Sequence, residues 1–318
     1  MRIVVVDGYT LNPGDLSWEP LEDLGEVEIY ERTAPQQVID RCREAQIIVT
    51  NKVAIRKEVL EGLPALRYIT VTATGYDVVD VEAARSLGIP VSNVPEYGTD
   101  SVAQFTMALI LELCHRVGLH DEAVKAGEWS ASPDWSFWKT PQVLLRGKII
   151  GIVGFGRIGR RVGELANALG MEVVAYDVKA GPEPPYRPFR WVSLEELFSV
   201  SDVVTLHCPQ TPENRGFVGR KLLGRMKPNA FFINAARGGL VEEESLAEAL
   251  REGRIAGAAL DVVSQEPIRP ENPLLGTPNC IITPHMAWAT REARQRLLDA
   301  TVENIKAFIS GRPINVVS

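Results

Sequence analysis

Short apolar runs and helix-period stretches take turns along this chain. "RIVVVD" (2–7), "VEIY" (27–30), "QIIVT" (46–50), "LRYITV" (66–71) and "IPVSN" (89–93) are rich in β-branched residues and read as strands. Between them, "APQQVIDRCREA" (34–45) and "DVEAARSLG" (80–88) read as helices. Strands alternating with helices predict a parallel sheet covered on both faces. From Gly98 to Trp129 the apolar positions keep helical spacing, with Thr99 or Asp100 able to cap the start. That helical segment is long enough to bridge two domains. "SASPDWSFWKTPQVLLRGK" (130–148) is aromatic and irregular and reads as an excursion across a surface or a partner.

A second alternating series begins at Lys148. "KIIGIVGFGRIGRRVGELANALG" has the pattern of a strand, a glycine turn and a helix, and "MEVVAYD" (171–177) is the next strand. "SDVVTLHCP" (201–209), "AFFINAA" (230–236), "IAGAALDVV" (255–263) and "CIITPH" (280–285) continue the series. The last helical stretch, Thr290 to Gly311, has no strand series of its own, and its natural packing place is the first domain. The two series look architecturally alike without being a sequence repeat.

Composition narrows the class. Apolar residues at 45% and charged residues at 24% are ordinary for a globular protein with sizeable cores. A net charge of −7 argues against non-specific nucleic-acid binding, which needs a basic face. The apolar N-terminal run is too short for a secretory leader, and no run approaches the roughly 18–20 apolar residues of a membrane span. Cys42, Cys114, Cys208 and Cys280 are scattered without a C-x-x-C pair, as expected of reduced thiols in a cytoplasmic protein. No metal is expected: His115 and His120, five apart, lie about 140° apart around a helix and share no face.

The candidate chemistry starts at "GFGRIGR", which contains G-x-G-x-x-G at Gly154, Gly156 and Gly159. The motif follows an apolar strand and opens a helix, the context that a dinucleotide turn requires. Gly154 permits the tight turn, Gly156 lets pyrophosphate approach, and Gly159 allows close helix–strand packing. The amides of Arg157 and Ile158 then sit at a helix N-terminus, which favours phosphate. Asp177 closes the next apolar run about 20 residues on, where an acidic residue accepts hydrogen bonds from the adenosine ribose hydroxyls and repels a 2′-phosphate. The expected cofactor is therefore NAD rather than NADP, with Lys179 nearby as the one contrary feature.

Arg237 after "INAA", Glu266 after "LDVVSQ" and His285 after "ITP" all lie near predicted strand ends. In a doubly wound sheet, ligands bind beyond the carboxyl ends of the strands, so the three can converge on a bound nicotinamide. Reduction of a ketone needs a proton on oxygen, and histidine suits that task near neutral pH. A neighbouring carboxylate orients the ring, and an arginine holds a carboxylate or polarises a carbonyl.

With "NAARGGLVEEESL", "ALDVVSQEP" and "TPHMAWAT", these residues resemble the D-isomer-specific 2-hydroxyacid dehydrogenase family over essentially the whole chain. The resemblance implies Arg237, Glu266 and His285 as the catalytic set. It implies an α/β fold of two doubly wound parallel-sheet domains, a Rossmann-type cofactor domain (100–287) inserted in a flavodoxin-like substrate domain (1–99 plus 288–318), with the active site in the cleft. "TATGYD" matches the substrate loop, so amides near Ala73, Thr74 and Gly75 are expected to receive the substrate carboxylate. Thr106, His207, Cys208, Pro209, Ala235, Ala236, Asp261, Ala287 and Trp288 match cofactor-side positions, together with Arg237 and His285 themselves. The alternatives are a helix or packing role for Thr106, a plain turn for residues 207–209 and a loop cap for Asp261.

Particular residues narrow the reaction within that family. Formate-oxidising members carry glutamine where Glu266 stands, and phosphite-oxidising members carry lysine where Thr74 stands. "DWSFWKT" is similar to the dimer-loop segment of glyoxylate/hydroxypyruvate reductases, in which a tryptophan matching Trp138 reaches the partner's active site; the alternative is an interfacial aromatic. The implied protein is a homodimeric glycerate dehydrogenase-like enzyme that reduces hydroxypyruvate or glyoxylate to D-glycerate or glycolate. The alternatives are another D-2-hydroxyacid dehydrogenase, such as one for D-lactate, or an NAD-sensing corepressor-like protein.

Overall fold

Every apolar run named above contains a strand in the computed structural model, which describes all 318 residues. The chain divides into two units, Met1–Gly98 with Ala289–Ser318, and Thr99–Trp288.

The first unit is built on a five-stranded sheet in the order β2-β1-β3-β4-β5: β1 (Arg2–Val5), β2 (Glu26–Ile29), β3 (Ile47–Thr50), β4 (Tyr68–Val71) and β5 (Val91–Ser92). All pairs are parallel, with Ile3 opposite Ile47 and Ile47 opposite Tyr68. β3 and β4 are buried along their whole length, as central parallel strands covered on both faces must be. Asp7, just past β1, accepts N–H bonds from Asn51, Lys52 and Val53 and so pins the turn after β3; burial pushes its carboxyl up. The C-terminal helix Arg291–Ile309 completes this unit. Thr290 caps it through Ala293, the buried Arg294 makes a paired bond to Asp15, Asn304 donates to the Asn93 carbonyl, and Phe308 stacks on Tyr68 with centroids 4.4 Å apart.

The second unit carries seven parallel strands in the order β12-β11-β10-β9-β6-β7-β8. They are β6 (Ile149–Val153), β7 (Glu172–Tyr176), β8 (Phe189–Trp191), β9 (Val203–Leu206), β10 (Phe231–Asn234), β11 (Gly257–Leu260) and β12 (Cys280–Ile282). The side-chain period of two is visible in the core. Val174, Val204, Leu206 and Phe232 face helices Leu194–Val200 and Glu243–Arg251 through Leu197, Phe198, Leu246 and Leu250. Val173, Val203, Phe231 and Ile233 face helices Thr99–His115 and Arg157–Ala168 through Ile110, Leu113, Val162 and Ala166. The strand order reverses between β6 and β9, the switch point at which such sheets bind ligands.

The structure differs from the sequence reading at three places. The helical segment from Gly98 is two helices, Thr99–His115 and Val117–Lys125, bent by 53° where Arg116 takes left-handed backbone angles (φ 48°). A left-handed residue cannot continue a right-handed helix. β8 was not foreseen, because it is a three-residue edge strand behind the proline-rich "GPEPPYRP". Thr99 and Trp288 belong to the second unit rather than the first, since Thr99 opens its first helix and the Trp288 indole donates to the His285 carbonyl. No single helix is long and apolar enough to cross a membrane.

Leu298 is fully buried on the C-terminal helix. Leu298→Ala is expected to destabilise the first unit by about 2–5 kcal/mol. Denaturant unfolding followed by fluorescence checks this; a midpoint equal to the parent's would mean that the helix does not depend on this contact.

Candidate active site

Parallel pairing of β6 with β9 sets the loops that follow them side by side. Gly154 sits at φ 90°, and a Cβ there would lie 2.4 Å from the Cys208 nitrogen, so the glycine turn closes directly against His207–Cys208. A Cβ on Gly159 would lie 2.2 Å from the Gly154 carbonyl oxygen, which is the close helix–strand contact. Gly156 is the opposite case: nothing stands within 4 Å of where its Cβ would be. Two glycines thus permit contact and the third leaves an open face at the first turn of helix Arg157–Ala168. Just beyond β7, Asp177 accepts the Phe155 N–H at 2.8 Å through Oδ2, which holds the carboxylate beside the turn. An open glycine face, a helix N-terminus and an adjacent carboxylate fit a dinucleotide's pyrophosphate and ribose. His207 bonds Thr205 Oγ1 through Nε2 at 2.9 Å, and burial pushes its imidazole down to about 3, so the ring is neutral. Burial likewise pushes the Cys208 thiol up to about 11, which keeps it protonated; Pro209 next to it is exposed.

The other half of the site hangs from β10, β11 and β12, which are neighbours in the sheet. Asn234, the fully buried last residue of β10, winds the next turn around itself: Oδ1 accepts the Ala236 N–H at 3.0 Å, and Nδ2 donates to the Arg237 carbonyl at 2.9 Å. Ala235 and Ala236 are the intervening residues of that turn. Asp261, just past β11 and 1% exposed, accepts from Met286 N–H (2.9 Å), Ala287 N–H (2.8 Å) and Thr283 Oγ1 (2.6 Å). Desolvation pushes its carboxyl up, and those three donors oppose the shift. The Asp261 carbonyl also accepts the His285 N–H at 2.8 Å.

His285 itself is held in a left-handed backbone conformation, φ 54°, which costs about 1–3 kcal/mol for a residue with a Cβ. The loop bonds just named hold it there, and its Nδ1 meets Glu266 Oε2 at 2.6 Å. An ionised carboxylate only accepts, so Nδ1 carries the proton and Nε2 is left for other chemistry. Arg237, Glu266 and His285 line one cavity of about 170 Å³ with Gln210, Gly238, Gly239, Val263 and Ser264.

Other candidates have the following surroundings. Thr106 is fully buried and its hydroxyl donates to Val102 O within its own helix. Ala287 is buried, and Trp288 bonds back to the His285 carbonyl. In the first unit, Ala73, Thr74 and Gly75 follow β4; the Thr74 hydroxyl bonds the Val94 carbonyl, while none of the three backbone amides has an acceptor in the chain. Trp138, 69% exposed, lines a separate cavity with His115, His120, Val124 and Phe137, and does not meet the Arg237–Glu266–His285 group of its own chain. Sequence reasoning missed Asn234 and Gln210. Asn two residues before the amide it caps is a readable turn signal; Gln210 has none, because its neighbour Gly239 is distant in sequence.

Comparison with known proteins gives a consistent result. Residues 107–287 match the model of the "D-isomer specific 2-hydroxyacid dehydrogenase, NAD binding domain". The chain is 50% identical over 321 residues to a hydroxypyruvate reductase of Blautia hydrogenotrophica, covering 100% of each chain. It is 40% identical over 295 residues to a glycerate dehydrogenase of Methylorubrum extorquens, covering 92% of each. Among solved structures it resembles the TT0316 protein of Thermus thermophilus, with a TM-score of 0.88, 36% identity and full coverage of both chains.

The depressed His207 ring has a consequence for acid stability. An unfolded chain protonates this imidazole near pH 6.5, the folded one only near 3. Between those values the unfolded state binds more protons, so stability falls as pH drops. His207→Gln keeps a side chain able to bond Thr205 and is expected to flatten stability against pH over that window. Parallel curves for the two proteins in denaturant titrations from pH 7 to 4 would contradict the assignment.

Proposed function

We propose, for a chain that belongs to the D-isomer-specific 2-hydroxyacid dehydrogenase family, that it reduces hydroxypyruvate or glyoxylate to D-glycerate or glycolate with NADH, and oxidises the same products in reverse. The observation that carries this reading is the shared cavity of Arg237, Glu266 and His285, with the 2.6 Å bond between Glu266 and the His285 ring. The substrate class follows the two relatives, whose names describe one reaction in its two directions.

Bound NADH supplies the hydride. The chain does the rest. His285 in its protonated form delivers the Nε2 proton to the ketone oxygen, and takes it back during alcohol oxidation. Glu266 accepts the Nδ1–H, orients the ring and balances its positive charge. Arg237 presents guanidinium donors to the substrate's carboxylate and carbonyl. The amides of Ala73, Thr74 and Gly75, which have no acceptor in the chain, supply further donors for a carboxylate. Gly154, Gly156, Arg157, Ile158 and Gly159 receive the pyrophosphate, and Asp177 takes the ribose hydroxyls. Its fixed carboxylate disfavours a 2′-phosphate. Thr106, His207 to Pro209, Ala235, Ala236, Asp261, Ala287 and Trp288 shape the rest of the cofactor site. The enzyme acts in the cytoplasm as a homodimer, and Trp138, with its exposed indole, contributes to substrate selection in the neighbouring subunit.

The test is a steady-state panel of hydroxypyruvate, glyoxylate, pyruvate and 3-phosphohydroxypyruvate with NADH and NADPH. The expected result is the highest kcat/KM with hydroxypyruvate or glyoxylate, and with NADH. Higher efficiency with pyruvate, or equal use of NADPH, overturns the substrate or cofactor assignment respectively. Absence of turnover with NADH binding retained overturns the enzyme reading.

Removal of the general acid gives a second expectation. His285→Ala is expected to lower kcat/KM by about 10²–10⁴-fold, the usual worth of such a group, while NADH affinity changes much less. A variant retaining the parental rate would remove His285 from the chemistry.

A further inference from the structure

Three consecutive glutamates, Glu242, Glu243 and Glu244, stand at the start of helix Glu243–Arg251, and they do not share one environment. Glu242 and Glu244 are exposed, and Glu242 accepts from the Ser245 hydroxyl one turn along. Glu243 is half-buried and reaches out of its helix to the loop that carries Glu266. Its Oε1 accepts the Ser264 N–H at 2.6 Å, and its Oε2 accepts the Ser264 hydroxyl at 2.8 Å and the Asn272 Nδ2–H at 3.0 Å. Three donors converge on one carboxylate, and bonds of this charged kind are stronger than neutral ones.

The Val263–Ser264 backbone that Glu243 grips touches the rest of the site in two ways. The Val263 N–H donates to Glu266 Oε1 at 3.3 Å, and the other oxygen of that carboxylate holds the His285 ring. Gly238 lies flat on the Val263–Ser264 peptide: a Cβ on Gly238 would stand 1.9 Å from the Val263 carbonyl carbon and 2.4 Å from the Ser264 nitrogen. Gly238 is the residue after Arg237. Two successive peptides, Val262–Val263 and Val263–Ser264, therefore back Glu266 and the turn that presents Arg237, and Glu243 is the side chain that grips the second.

We propose that Glu243 is a positioning residue for the reaction, acting through Ser264 to keep Glu266 on the His285 ring and Arg237 in register with both. This rests on the assignment of Arg237, Glu266 and His285 to the chemistry. The hydrogen bonds of Glu243 go to Ser264 and Asn272. Its effect is on geometry, and a displacement of about 1 Å in a reacting group can cost about 10²-fold in rate.

The test is a double-mutant cycle with hydroxypyruvate and NADH. It reads kcat and both KM values for the parent, Glu243→Ala, Glu266→Gln and the double variant, with folding checked by circular dichroism. Glu243→Ala is expected to lower kcat by up to about 10²-fold, with the KM for NADH nearly unchanged. In the Glu266→Gln background the same change is expected to have little further effect, because groups acting through one another are not additive. Glu243→Gln, which can still accept the Ser264 N–H, is expected to recover part of the loss. Ser264→Ala, which deletes one bond and no charge, is expected to show a smaller loss in the same direction; these two variants carry the test if Glu243→Ala does not fold. Parental kcat in the Glu243 and Ser264 variants, or losses that multiply with a slow Glu266→Gln, overturn this proposal alone. A Glu266→Gln enzyme at the parental rate overturns the catalytic assignment and this proposal with it.

Discussion

Because β6, β9, β10, β11 and β12 all run parallel, their carboxyl ends come to one edge of one sheet. The second unit's candidate chemistry depends on that constraint. Residues drawn from far apart in the chain, Gly154, His207, Arg237, Asp261 and His285, each follow a strand at once or within three residues. Parallel pairing also requires long crossovers, and the helices that supply them cover both sheet faces with apolar side chains. The strand edge is the one place left where polar groups can gather without being sealed into the core. The first unit obeys the same constraint, with Asp7, Asn51 and Ala73–Gly75 following β1, β3 and β4.

Gathering polar groups at that edge costs desolvation and strain, and the loops are arranged to offset both. Asp261 is almost fully buried, yet each of its oxygens accepts protein hydrogen bonds, which a buried carboxylate needs. Those same bonds restrain the backbone on which His285 takes its left-handed conformation. Asn234 does the equivalent service for the Arg237 turn. A side chain that satisfies its own burial thereby fixes the geometry of a neighbour, and Glu243 extends this arrangement one layer outward.

The match between sequence and structure differs by kind of residue. Most strands were legible because each is a short apolar run bounded by turn residues. β8 was not, because an edge strand is held by one neighbour and needs little apolar character of its own. The helix break at Arg116 was hidden, since apolar spacing continues through it while the backbone does not. The glycine turn was legible because local backbone demands select glycine; that Gly154 also packs on Cys208 was not, because that contact crosses between strands distant in the chain.

By itself the sequence determined most of the element types, the glycine turn with its acidic neighbour, and a short roster of strand-end residues with chemistry to offer. Those features are local, set by periodicity and by backbone conformations that only certain residues adopt. Only the tertiary structure decided which of those residues meet. It brought Nδ1 of His285 to Glu266, committed the Asp261 carboxylate and the Thr106 hydroxyl to bonds of their own, and left Trp138 in a separate cavity. It also singled out Glu243 from three adjacent glutamates. Helical rotation separates neighbouring side chains by about 100°, so which of them reaches the loop depends on how the helix packs.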